Sequence, residues 1–146
     1  MADISADGPF SSFPGIERWF AVVSGAGVIL ELEGKERRIV AGDLPLCFDG
    51  AATPGCRLVD GPTRDLNLMV NGGRGEMRFA TSTPWNGDFR VRALFTAVPG
   101  RWSNRIASCD LDRHTLLWDD SAGSADWRFE RAGASSLAGW WLGYNP

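Results

Sequence analysis

Arg64, Asp65 and Asn67, together with Arg18, are the side chains whose types and spacing suit chemistry on a small acid. A guanidinium offers paired N–H donors that match the two oxygens of a carboxylate. An asparagine donates and accepts at once, and an aspartate serves as an anchor or a base. Phe48, Met69 and Trp19 are candidates for the apolar walls that a small-molecule pocket needs. The stretch from Arg64 to Val70 alternates as a β-strand does. Asp65, Asn67 and Met69 therefore share one face, and Arg64, Leu66, Leu68 and Val70 the other. A face that carries Asp and Asn side by side either meets water or lines a polar pocket. The plainer alternative is a local network at the strand entry after the Gly61-Pro62 turn, with Arg18 a surface partner of Glu17.

Other chemistries find less support. His114 is the single histidine, so a three-histidine metal site cannot be assembled within one chain, and no metal or other cofactor is expected. Asp110, Asp112, Asp119 and Asp120 lack the glycine-anchored spacing of a calcium loop and read as solvated acids. Cys47 stands in a Pro-Leu-Cys-Phe context that reads as buried and inert. Gly72-Gly73-Arg74-Gly75 lacks the lysine and the strand-loop-helix setting of a phosphate cradle. The seven tryptophans read mostly as core with their indole N–H groups satisfied. Trp85 and Trp102, in loop-like contexts, are candidates for a ligand- or partner-facing surface.

The 146 residues suffice for one compact domain or two small halves, and 44% hydrophobic with 23% charged residues is ordinary for a globular protein. A net charge of −3 argues against nucleic acid as a partner. Lys35 is the single lysine, and the arginines form no patch. Three cysteines without a C-x-x-C spacing read as free thiols of a cytoplasmic protein, and no run approaches membrane-spanning length.

Short strands punctuated by Gly and Pro predict an all-β sandwich or barrel. Met1 to Gly15 reads as loop. Strands are expected at residues 16–24, 28–32, 36–40, 44–48, 56–60 and 64–70. After the glycine joint at 71–75 they are expected at 76–82, 89–97, 114–118 and 127–131, and 135–144 reads as a strand or a short turn of helix. Halves of 1–75, with the candidate pocket, and 76–146 follow from that joint.

Asp7-Gly8-Pro9-Phe10-Ser11, Phe13-Pro14-Gly15-Ile16-Glu17-Arg18, Leu44-Pro45-Leu46-Cys47-Phe48-Asp49-Gly50 and Gly61-Pro62-Thr63-Arg64-Asp65-Leu66-Asn67-Leu68-Met69 run in this order. With the Trp140-Trp141-Leu142 ending, they make the chain resemble the HutD/Ves family of the cupin superfamily. The resemblance implies an RmlC-type double-stranded β-helix, built as two cupin-like barrel halves packed together (a bicupin). It also implies a further N-terminal segment with a Pro-Trp-Lys-Asn-Gly-Gly-type motif, which would end where Met1 stands. Without that segment an edge is exposed, which favours a homodimer. The resemblance implies a metal-independent binder of a small carboxylate such as urocanate or formylglutamate, sensing or regulating histidine utilisation. The rival expectations are a cofactor-free isomerase or lyase using Asp65 or Glu17 as base, and a structural or partner-binding β-protein.

Overall fold

The computed structural model describes residues 1–121, 126–134 and 137–146. Among these residues every regular element is a strand, and no helix is long and apolar enough to cross a membrane. The chain divides into two compact units, Met1–Gly72 and Gly73–Pro146. Gly72 and Gly73, at φ 68° and 72°, form the turn at that boundary, a conformation that glycine adopts at little cost.

Unit 1 holds β1 (Ala2–Ile4), β2 (Gly8–Pro9), β3 (Ile16–Ser24), β4 (Val28–Leu32), β5 (Lys35–Ile39), β6 (Leu46–Asp49), β7 (Gly55–Leu58) and β8 (Thr63–Asn71). They form two antiparallel sheets, in the orders β1-β8-β3-β6 and β2-β7-β4-β5. The sheets share one core, with Phe20 and Val22 from the first meeting Val28, Leu30, Ile39 and Cys56 from the second. β3 and β8 are its longest strands. Their register sets Arg18 opposite Met69, Phe20 opposite Asn67 and Val22 opposite Asp65, followed by a bulge before Ser24. Directly opposed residues of an antiparallel pair share a face, so this polar row lies on the core side.

The entry to β8 is fixed by the turn that follows β3. Gly25 has φ +97°, and a Cβ there would lie 2.6 Å from the Pro62 carbonyl oxygen and 2.9 Å from Thr63 Oγ1. The buried Thr63 hydroxyl accepts from Gly27 N–H at 3.1 Å and donates to the Gly27 carbonyl at 3.2 Å.

Unit 2 holds β9 (Arg74–Phe79), β10 (Val91–Thr96), β11 (Gly100–Ser103), β12 (Ser108–Leu111), β13 (Leu116–Asp119), β14 (Arg128–Arg131) and β15 (Gly139–Asn145). Its sheets run β13-β10-β15-β9 and β12-β11-β14. Between them lies an aromatic core that includes Trp85, Trp102, Trp127, Phe129 and Trp141. Trp85 stacks on Trp141 at 5.3 Å, and Trp102 meets Trp127 edge-on at 5.1 Å.

Several expectations need correction. The N-terminal stretch read as loop contains β1 and β2, because its backbone completes the ladders of β8 and β7. β11 and β12 were not expected; they form a hairpin whose apolar positions are sparse. Trp85 and Trp102 are buried and present no surface, whereas Trp118 is exposed. The indole N–H groups of Trp85, Trp102, Trp127 and Trp140 have no hydrogen-bond acceptor among the described residues. Aromatic neighbours surround them instead. The closing segment forms a strand from Gly139, while Ser135 and Ser136 lie outside the described residues.

Candidate functional site

Unit 1 buries a chain of polar groups on the core face of β3 and β8. Arg18 Nε donates to Asn67 Oδ1 at 2.8 Å, and Asn67 Nδ2 donates in turn to Asp65 Oδ1. The guanidinium carbon lies 4.3 Å from the Phe10 ring centroid and 5.6 Å from that of Phe48, a cation–π setting on two sides. Arg18 is 7% exposed and Asp65 2%. Among the described residues the two terminal nitrogens of Arg18 donate no hydrogen bond. A guanidinium with one edge engaged and the other unspent is a ready receptor for two carboxylate oxygens.

Burial sets the electrostatics here. It pushes the Asp65 carboxyl up to about 6, against the opposing pull of Arg18 and the Asn67 hydrogen bond. Burial likewise holds Arg18 below its usual value, with Asp65 pulling the other way. Cys56, which enters the same core from β7 of the second sheet, is pushed up to about 11 by burial and by Asp7 and Asp65. Asp65 therefore changes charge near neutrality, the range a general base works in, whereas Cys56 stays a thiol.

The other sequence candidates fall in different places. Phe48 belongs to the cluster and also lines a cleft of about 340 Å³ with Leu32, Leu46, Pro54, Lys35 and Arg37. Glu31, Glu33 and Asp49 border the same cleft, so its charge is mixed. Met69 lies opposite Arg18 on the cluster's strand face but is 43% exposed. Arg64 is turned to the opposite face, where Nε and Nη2 bond both oxygens of Asp3 at 2.6 and 2.8 Å. That pair spends its donors near the surface and lowers the Asp3 carboxyl. Trp19 also faces away from Arg18, its indole N–H donating to Glu17 Oε1 at 2.9 Å.

Phe10 and Cys56 complete the cluster and were missed. Phe10 lies in the Asp7–Ser11 motif, within a stretch that the sequence alone presents as loop. Its N–H donates to the Pro54 carbonyl at 3.0 Å and its ring packs on Phe20, which carries it over Arg18. Cys47 needs a correction. It is exposed, because β6 is an edge strand, and its thiol is pushed up to about 11 by partial desolvation and by Glu17. His114 stacks on Phe95 in unit 2. Among the described residues no three His, Cys, Asp or Glu side chains gather to hold a metal.

Comparison with known proteins adds to this geometry. A crystal structure of a conserved protein of unknown function from Pseudomonas aeruginosa PAO1 superposes with a TM-score of 0.81 at 26% identity, over 96% of this chain and 74% of that one. The structure of HutD from Pseudomonas fluorescens SBW25, in a formate condition, gives 0.75 at 24% identity, over 99% and 77% of the two chains. The all-β fold is cupin-like, as are these neighbours. An uncharacterized 21.2 kDa protein in the hutC 3' region of Pseudomonas putida is 35% identical over 69 residues. That stretch is 47% of this chain and 36% of the relative, so this likeness spans about a third of the relative's length. The HutD family model matches residues 1–137, nearly the whole sequence, and the chain belongs to the HutD family.

Proposed function

We propose that this protein binds a small carboxylate metabolite at Arg18 and serves histidine utilisation as a sensor or regulator. The observation that carries the reading is the buried Arg18 guanidinium, locked through Nε by Asn67 and roofed by Phe10, with its terminal edge donating to no described residue. A buried cation with unspent donors favours an anion of matching shape. The Phe48 wall, shared with the cleft, offers the apolar part of such an acid a surface. Family membership and the relative in a hutC 3' region support urocanate and formylglutamate as the first acids to try. Arg64 joins the proposal only as a second arginine at the surface.

The test is thermal unfolding with and without urocanate, formylglutamate and formate. A ligand of the folded state alone stabilises by about 2.7 kcal/mol at a hundred times its dissociation constant. A midpoint shift with one acid, lost in Arg18→Met and kept in Arg64→Ala, supports the reading. No shift with any acid counts against it.

One observation favours a second reading, a cofactor-free isomerase or lyase. Asp65 titrates at about 6, which suits a general base at neutral pH. Turnover of a bound acid, abolished in Asp65→Asn while binding persists, would support catalysis over sensing.

A further inference from the structure

We infer that two copies of this chain pair through strand β13, edge to edge and antiparallel about a twofold axis at Leu117. This inference concerns unit 2 and does not depend on the carboxylate site. β13 ends its sheet: it pairs with β10, and among the described residues no strand lies on its other side. Natural sheets blunt such edges with charge, proline or cover. Here the strand carries Leu116 and Trp118 on one face, 53% and 60% exposed. A tryptophan this open on an unpaired strand is an unusual expense of apolar surface.

The backbone parity restricts the register, and the number of apolar pairs chooses within it. Thr115 offers its carbonyl to Thr96 N–H of the β10 side at 3.0 Å. By antiparallel alternation Leu117 and Asp119 turn their polar groups the same way, so Leu116 and Trp118 turn theirs outward. Two copies can therefore exchange ladder bonds where Leu116 of one copy faces Trp118 of the other, with Leu117 against its own mate on the axis. Each twofold-related pair then buries a leucine against a tryptophan. Charge complies with the same register. Asp119, the acid of β13, falls opposite Thr115, so it faces no carboxylate. A shift by two residues keeps one apolar pair, leucine on leucine or tryptophan on tryptophan, in place of two.

The occupant of this edge is thus a second copy. Sedimentation velocity over a wide concentration range reads the state, with circular dichroism confirming that each variant is folded. The wild-type chain is expected to pass from monomer to dimer, and Leu116→Pro to remain monomeric. That proline removes only an outward N–H, so the β10 ladder survives. The register is tested by charge. L116K/W118E places unlike charges opposite each other twice and is expected to dimerise in a salt-sensitive manner. L116K/W118K opposes like charges and is expected to stay monomeric. A wild-type chain that remains monomeric throughout, or two double variants that associate equally, would overturn the inference.

Discussion

Arg18 and Asp65 are joined through Asn67, which accepts from the one and donates to the other, so a neutral amide couples a buried cation to a buried acid. Removing the amide leaves both ends unsatisfied in the core of unit 1. Asn67→Leu is expected to destabilise by about 1–3 kcal/mol, the usual cost of orphaning buried polar groups. Urea unfolding measures this, and a neutral substitution would show that the chain contributes nothing to the fold.

The raised Asp65 value gives stability a pH dependence of known sign. Between its ordinary value of 3.8 and about 6 the folded state holds a proton that the unfolded state has released. The stability tied to this group is therefore present below about 4 and falls as pH rises through about 6. Asp65→Asn abolishes that slope, so the variant should gain on the wild type across this window. Unfolding free energies at several pH values test it, and parallel curves would contradict the raised value.

Arg64 and Arg18 should separate cleanly. The Arg64–Asp3 pair is solvent-screened, so Arg64→Ala should change stability little, and added salt should remove most of what remains. Arg18→Ala, by contrast, uncovers Phe10 and strands Asn67, and should cost markedly more. Chemical unfolding of both variants at low and high salt decides this.

Cys47 should react slowly despite its exposure. A thiol near 11 is almost wholly protonated at neutral pH, and the thiolate is the nucleophile. Alkylation monitored by mass should accelerate steeply toward alkaline pH, and Glu17→Gln should speed it at any fixed pH. Rapid labelling at neutral pH would count against this picture.

The long strands were legible because their periodicity is strong. Residues 16–24 and 28–32 were read with the bounds that β3 and β4 have. Short pairings such as β1 and β2 were not, since two or three residues carry no period and form only when a distant ladder accepts them. The alternation of β8 separated Arg64 from Asp65 and Asn67 correctly. It could not say which face was the core, and that depends on the β3 register. Arg18 and Asn67 meet across 49 residues of sequence, a distance no local pattern spans. Cys47 was misjudged for a related reason: an apolar context implies burial in a central strand, whereas β6 is an edge.

The register that aligns β3 with β8 also governs the order of events during synthesis. The Arg18 end leaves the ribosome well before its partners, and its polar chain closes only when Asn67 follows. Until then a guanidinium and two phenylalanines wait on an unfinished sheet. Contacts of such long sequence separation make closure a late and slow event. Because the Arg18 cluster and its enclosing sheet are completed in the same step, an acid bound there as proposed should leave the rate of folding unchanged and slow the rate of opening. In a cell it would act on the lifetime of the finished protein.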